Sequence, residues 1–406
     1  MGRLQSWFGA ARRSPLPWVV AGVVLIAALA GGIVVAILAT RSTAPSSPHP
    51  AQSTRAVALG DSVPYGHGLA NPYLKPQLGL PAGDVSQGPS KNAFPSLVAA
   101  NYGLTMTVRP TNCHLVGDQL AISGAVADPG DNTGRDGQCL RPTQPARNLG
   151  DEIAAAGLSH HPARLVLLQD GADDIHFSAC LEFQLARILD ASLGLGTNCV
   201  QNGKVTAGLS TELARVRASL ASAIEQIAPD AATVAVLNYY QPIPVPGQLA
   251  DGTAASGLGT NLVCTGLKAN ASSTAAAARV VLSALNDSIA GAVGQARAHG
   301  VRNVTLVNVS NALNDHGICT ADPWVFSSEL VPDATLAADA EHILAAKACT
   351  AAGSALHADA SCSSLVARAH QAEQALTDYV WRTAHPTAAG QRALSAVVEQ
   401  TLRGRA

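Results

Sequence analysis

Short apolar runs alternate along the chain with longer stretches in which apolar residues recur every three or four positions. The short runs predict buried strands at 56–59, 105–109, 164–168, 233–237 and 304–309. The longer stretches predict helices at 94–102, 147–156, 211–227, 275–299, 336–351, 364–382 and 388–402. Strands that alternate with helices are typical of the α/β class with a mainly parallel sheet.

An uncharged segment, 18–40, precedes the first predicted strand and is about as long as a membrane-spanning helix. Several arginines precede it and only Arg41 follows directly, which predicts that 1–17 lie in the cytoplasm. We favour a retained transmembrane signal anchor. A cleaved leader is the alternative, because Leu38-Ala39 suits a signal peptidase. Both interpretations export the rest of the chain.

Residues 41–54 are rich in Pro and Ser and show no apolar periodicity, which is typical of an extended linker. The folded domain is therefore expected to span 55–406, outside the cytoplasmic membrane, or secreted if the leader is cleaved. Within it, 333–382 is a candidate helical cap. The formal charge of −2 at pH 7 argues against a nucleic-acid partner. The sequence does not indicate an oligomeric state.

All eight cysteines lie after the predicted anchor: Cys113, Cys139, Cys180, Cys199, Cys264, Cys319, Cys349 and Cys362. An even number in an exported chain indicates disulfides. The absence of a Cys-x-x-Cys pair argues against a zinc site. Pairing of sequential neighbours is the simplest hypothesis, although the sequence does not fix the connectivity.

The first predicted strand ends at Gly60-Asp61-Ser62, so Ser62 is expected at the carboxyl end of a sheet strand, where α/β proteins bind ligands. Near the C-terminus, His385-Pro386 begins the last predicted helix. A serine nucleophile needs a base that accepts its proton, and His385 is the candidate. Each motif alone has an ordinary structural explanation.

Four blocks occur in one order: Gly60-Asp61-Ser62, Gly124, Gly171-Ala172-Asp173-Asp174 and His385-Pro386. This order resembles the GDSL/SGNH hydrolase family, most closely its exported, disulfide-bearing actinobacterial esterases and lipases, over about 55–402. The resemblance implies a three-layer α/β/α sandwich. It also implies that Ser62 is the nucleophile, that His385 is the base, and that the backbone N–H groups of Ser62 and Gly124 form an oxyanion hole. It implies no metal and no organic cofactor.

Two residues depart from the family's pattern. Asp173 stands where the family has an oxyanion-binding asparagine, and it suits that role only if protonated; otherwise its role is structural. Arg382 stands where the family usually has an aspartate that orients the histidine. We favour a dyad in which the backbone carbonyl of Arg382 orients His385, with Asp378 as the less favoured carboxylate.

The sequence therefore predicts a serine esterase or lipase that acts outside the membrane on a small ester or on an ester of an envelope lipid or glycan. Two alternatives stay open. One is a degenerate domain that binds such a ligand without turnover, and the other is a transacylase that moves acyl groups onto envelope sugars.

Overall fold

A computed structural model describes residues 50–66, 69, 90–107, 148–177, 180, 198–245, 247–249, 258–326 and 384–404, and for 258–271 it describes the backbone alone. The chain divides into two units, Met1–Ser47 and Pro48–Ala406, and all described residues belong to the second. The predicted anchor at 18–40 and the candidate cap at 333–382 lie outside the described residues.

The described residues form strands β1 (Ala56–Gly60), β2 (Ala163–Gln169), β3 (Val200–Gln201), β4 (Lys204–Val205), β5 (Ala231–Leu237) and β6 (Val304–Val307). Four of these make a parallel sheet in the order β1-β2-β5-β6. Every residue of β1 is buried. Because successive side chains point to opposite faces, both faces of the sheet are covered there.

The described helices are α1 (Ser62–Tyr65), α2 (Phe94–Asn101), α3 (Leu149–Ala156), α4 (Ala207–Ile227), α5 (Leu258–Ala298) and α6 (Ala388–Arg403). Two short 3-10 turns, Pro50–Gln52 and Ala228–Asp230, complete the set. α4 packs against α5 and α2 packs against α6, and both pairs contact the sheet. The protein thus has a mainly parallel central sheet flanked by helices, as predicted.

The apolar pattern of the sequence explains the α4–α5 packing. Leu213, Val216 and Leu220 recur every three or four residues and are buried on one face of α4. On the other side of the contact, Ser272–Ala298 of α5 is long and apolar enough to cross a membrane. The buried residues of this helix, among them Leu285, belong to the hydrophobic core. A helix that packs in the core of a domain passes the same test of length and composition.

Two predictions about local structure differ from what is observed. Of the strand predicted at 105–109, the described part, 105–107, forms a single parallel bridge, from Thr105 to Arg55. The many Gly and Pro residues of 63–91 predict a long loop directly after Ser62. That segment begins instead within the single turn of helix α1, which Gly66 ends in a left-handed conformation.

A hairpin of β3 and β4 was not predicted. Its two-residue turn is Asn202-Gly203, and both residues have positive φ, 51° and 72°. Asn-Gly is the sequence most typical of such a turn. The turn signal was present, but the two-residue strands on either side of it are too short to give an apolar pattern.

The predicted disulfide between Cys180 and Cys199 is confirmed. Cys319 is also disulfide-bonded. Its predicted partner, Cys264, has no described side chain, and the predicted pairs 113–139 and 349–362 lie outside the described residues.

Candidate active site

The turn after β1 requires glycine at position 60. Gly60 has a φ of 121°, which side chains rarely tolerate, and a Cβ there would lie 1.9 Å from the backbone oxygen of Gln169. The N–H of Asp61 donates to the same Gln169 oxygen at 3.0 Å. The chain therefore turns while it is still bonded to β2, and Ser62 follows at the carboxyl end of the strand.

Asp61 caps helix α1, in which Ser62 is the first residue. The Asp61 Oδ1 accepts a hydrogen bond from the Val63 N–H at 3.0 Å. Ser62 is 7% exposed. The serine hydroxyl thus stands on a short, capped turn and not on a free loop.

His385 lies in a segment that is bonded on both sides. Its carbonyl accepts the Phe326 N–H at 2.7 Å, and Val325 and Pro386 form an antiparallel bridge. The preceding residue, Ala384, has a positive φ of 75°, and its carbonyl accepts the Tyr240 hydroxyl at 2.7 Å. Tyr240 follows β5, so the sheet itself fixes the backbone beside the histidine.

The Nε2 of His385 lies 2.6 Å from the Oγ of Ser62. The two residues are 323 positions apart in the chain. A nucleophile and a base need this hydrogen-bond distance for the proton to pass between them. The pair has the geometry of a serine activated by a histidine.

The second carboxylate oxygen of Asp61 is also hydrogen-bonded, to a tyrosine that follows β5. The Tyr239 hydroxyl donates to its Oδ2, and the same tyrosine oxygen accepts the Ala172 N–H at 3.2 Å. Burial raises the pKa of Asp61 from 3.8 to about 7, although the hydrogen bonds from Tyr239 and Val63 lower it. This carboxyl thus links β1, the loop after β2 and the loop after β5.

Two further buried carboxyl groups, those of Glu152 and Asp170, lie close to the same turn. Glu152, on α3, accepts the Gly60 N–H through its Oε2 at 2.6 Å. Burial, followed by the negative charge of Asp174, raises the pKa of Asp170 well above its ordinary value. Burial and the repulsion between neighbouring carboxylates therefore favour the protonated forms of Asp61 and Asp170.

Gln391 joins the two ends of the domain. From α6, its Nε2 donates to the Val63 carbonyl at 3.1 Å, and its Oε1 accepts the Phe94 N–H at 2.8 Å. The side chain is fully buried. The neighbouring Gly390 lets α6 approach the backbone of Trp324 closely, because a Cβ at position 390 would lie 2.2 Å from the Trp324 carbonyl oxygen.

The other residues predicted for the site differ in how far the structure describes them. Asp173 lies in the loop after β2, where its charge contributes to the raised pKa values of Asp170 and Tyr239. Gly124, Arg382 and Asp378 lie outside the described residues. Among the described residues, no group of three or more His, Cys, Asp or Glu side chains is arranged to hold a metal ion.

Sequence reasoning missed four residues that support the serine and the histidine: Glu152, Tyr239, Tyr240 and Gln391. The two tyrosines come within three residues of the end of a predicted strand, at the edge of the sheet where the site was expected, and that position was an available signal. Glu152 and Gln391 lie on helices, and no local pattern marks a partner 92 or 328 residues away.

Comparison with known proteins adds little to this geometry. No protein-family model matches the chain, and no curated protein matches it. A solved structure of an extracellular lipase from Streptomyces rimosus is similar, with 18% identity and a TM-score of 0.41, over 86% of this chain and 100% of the lipase. At that identity and TM-score the likeness carries no argument about this chain.

Proposed function

We propose that the protein is a serine ester hydrolase of the GDSL/SGNH type. The observation that carries the proposal is the 2.6 Å separation of the Ser62 Oγ and the His385 Nε2. The resemblance of the four sequence blocks supports it independently. The backbone bonds on both sides of His385 add support, because a base must be held in place to take part in catalysis.

In the proposed reaction, His385 accepts the hydroxyl proton of Ser62 while Oγ attacks the ester carbonyl carbon. The tetrahedral intermediate expels the alcohol, which takes the proton from His385, and an acyl group remains on Ser62. Water then attacks the acyl carbon, and His385 accepts a proton from that water. The carboxylic acid leaves, and the proton returns to Ser62.

The negative oxygen of each tetrahedral intermediate needs hydrogen-bond donors. The N–H of Ser62 is one candidate, since it is the first amide of a helix and forms no hydrogen bond with a described residue. The Gly124 N–H remains the second candidate, on the resemblance alone. Asp173 would serve only in its protonated form, because an ionised carboxylate donates no hydrogen bond.

We further propose that the enzyme acts outside the cytoplasmic membrane, on an ester of an envelope lipid or glycan. The charge pattern around 18–40 supports the location. The disulfide between Cys180 and Cys199 also supports it, because such bonds persist in oxidising compartments. The orientation of His385 by the Arg382 carbonyl stays part of the proposal.

The test is turnover of p-nitrophenyl butyrate by residues 42–406 and by its Ser62→Ala variant. We expect activity to fall to background, since loss of the nucleophile costs on the order of 10⁶-fold in serine hydrolases. Ser210→Ala, an exposed serine on α4, is the matched control and should keep full activity. Equal activity in Ser62→Ala and wild type would refute the proposal.

Asp173 favours one second candidate, a domain that binds the ester without hydrolysing it. An ionised carboxylate in the oxyanion hole would repel the developing charge. A fluorophosphonate probe separates the two functions, because it labels only an activated serine. Labelling at Ser62 supports the hydrolase, whereas a folded protein that stays unlabelled supports the binding domain. A sugar acceptor added to the ester assay tests for transacylation.

A further inference from the structure

A cavity of about 620 Å³ lies at the carboxyl ends of β5 and β6. The residues that follow these two strands form two of its walls, and one face of α5, from Arg279 to Ala290, forms a third. Its volume is that of a small-molecule site. Neither Ser62 nor His385 is among the described residues that line the cavity, so the proposed ester hydrolysis does not use it.

The lining is rich in carboxamides. Seven of the residues that line the cavity are Asn or Gln, while one arginine and two aspartates supply its charges. A carboxamide presents a donor and an acceptor side by side, which matches a hydroxyl group that both gives and takes a hydrogen bond. Leucine, isoleucine and proline side chains cover part of the remaining wall.

Two of these amides fix the shape of the wall. Asn286 bonds both backbone groups of Tyr239, since its Oδ1 accepts the N–H and its Nδ2 donates to the carbonyl, each at 2.8 Å. Asn238 accepts the Val309 N–H at 2.7 Å and donates to the Asn308 Oδ1 at 2.9 Å. The cavity is therefore pre-formed by bonds between its own walls.

The remaining amides keep unused hydrogen-bonding capacity. Both polar atoms of the Gln241 side chain are buried and have no hydrogen-bond partner among the described residues. Such an amide costs free energy unless something bonds it. The bonds of Asn308 within the described part of the protein use its Oδ1, which leaves its N–H donors for a ligand. The same holds for Asn311, whose Oδ1 accepts from Asn314 at 3.3 Å.

We propose that this cavity binds an uncharged, polyhydroxylated ligand, namely a sugar residue of a glycan, with Gln241 and Asn308 as its principal contacts. The one guanidinium and two carboxylates of the lining nearly balance, so the cavity does not strongly select an ion of either sign. An anion would meet the carboxylates of Asp287 and Asp315, and a cation would meet the guanidinium of Arg279. The proposal is independent of the ester chemistry, although Tyr239 both lines the cavity and bonds Asp61.

In the experiment, glucose, galactose, mannose, N-acetylglucosamine and maltose are each titrated into the full-length protein, and binding is measured by saturation-transfer NMR of the sugars. At least one of them is expected to bind wild type. Gln241→Met keeps the volume of the side chain but removes both polar atoms, and it should weaken that binding about tenfold, as for the loss of two hydrogen bonds. The thermal midpoint should stay level or rise, since the variant removes an unsatisfied amide.

Three further variants, two of them controls, make the result specific. Gln226→Met, on the exposed face of α4, makes the same change away from the cavity and should leave sugar binding intact. Asn308→Ala should weaken the same sugar. Ser62→Ala should bind it like wild type, so that failure of the hydrolase proposal and failure of this one are distinguishable.

The proposal is overturned if none of the sugars binds at about 50 mM, well above a weak Kd of about 1 mM. It is also overturned if the sugar binds Gln241→Met and Asn308→Ala as tightly as wild type. Binding of glucuronate or spermidine in place of the neutral sugars contradicts it as well, because it would show that charge governs the cavity.

Discussion

Asp61 gives the protein a stability that depends on pH. In the unfolded chain this carboxyl ionises near 3.8, and in the folded protein burial raises its pKa to about 7. Between these two pH values the folded state holds a proton that the unfolded state has lost. The free energy of unfolding contributed by Asp61 therefore falls as the pH rises from about 3.8 to about 7, and it is constant above that.

We predict that Asp61→Asn flattens part of this decline, since an amide cannot ionise. Some slope should remain, because the pKa of buried Asp170 is raised as well. Urea unfolding at several pH values measures the effect. Asp287→Asn, on the exposed face of α5, is the control and should keep the wild-type slope. An unchanged slope in Asp61→Asn would contradict the assignment.

Tyr240 positions His385 through the backbone. Its hydroxyl donates to the Ala384 carbonyl, one residue before the base. We predict that Tyr240→Phe lowers kcat on the order of tenfold, since a small displacement of a base slows proton transfer, while KM changes little. The free energy of unfolding should fall by about 1 kcal/mol, as for one hydrogen bond.

Tyr102→Phe is the control for this variant. The Tyr102 hydroxyl also donates to a backbone carbonyl, that of Glu399, at 3.2 Å, but Tyr102 is exposed and its hydrogen bond joins α2 to α6 without involving the His385 segment. It should leave kcat unchanged. A similar kcat for both tyrosine variants would mean that Tyr240 has no positioning role.

At the scale of the elements, the register of β1 on β2 depends on Gly60. Its Cα pairs with Gln169, against whose backbone any side chain at position 60 would collide. We predict that Gly60→Ala costs more than about 3 kcal/mol of unfolding free energy, from positive φ and backbone overlap together. Thermal unfolding with far-UV circular dichroism measures the loss.

Gly294→Ala is the matched control for Gly60→Ala. Gly294 lies within α5, and a Cβ there would meet nothing within 4 Å. Because alanine suits a helix interior better, this variant should gain up to about 1 kcal/mol. A Gly60→Ala protein as stable as wild type would mean that the turn can rearrange.

Elements with a strong apolar pattern are those that the sequence predicts well. The strand predicted at 164–168 is observed as Ala163–Gln169, and the helix predicted at 388–402 is observed as Ala388–Arg403. Burial on both faces makes a strand almost wholly apolar, and a helix that packs on one face repeats every three or four residues. The strand is longer than predicted because a polar residue, Gln169, continues the pairing of β2 with β1 beyond the apolar run.

The polar groups that support the site were not predictable in the same way. Gln391 reads as an ordinary helix residue, yet it bonds Val63 and Phe94 across the sequence. Such a contact follows from the tertiary packing of α6 against α2. For Ser62 and His385, in contrast, the sequence offered motifs whose backbone requirements, a glycine turn and a proline-bounded loop, are local.

At the scale of the whole molecule, the disulfide between Cys180 and Cys199 closes a loop with a sequence separation of 19. Closing a loop of that length in the unfolded chain contributes about 3 kcal/mol in the chain-entropy account. We predict that the double variant Cys180→Ala, Cys199→Ala loses roughly this amount of unfolding free energy, measured by urea titration. We choose mutation of both cysteines over chemical reduction, because a reductant would also break the disulfide of Cys319.

This disulfide variant should still hydrolyse p-nitrophenyl butyrate below its melting temperature. Both cysteines are buried in the hydrophobic core, beside Ala278 and Val281 of α5, whereas Ser62 lies at the end of β1. A loss of activity at a temperature where the fold persists would show that the bond also shapes the active site.

The separation of 323 positions between Ser62 and His385 also determines when, during synthesis, the two residues can meet. At about 5–20 residues per second, a ribosome needs roughly 16–65 s to travel from the serine codon to the histidine codon. Throughout that interval the nascent chain carries a serine without its base. Premature termination anywhere in between yields an inert fragment, so the proposed hydrolase cannot attack the esters of the cell that is making it until the chain is nearly finished.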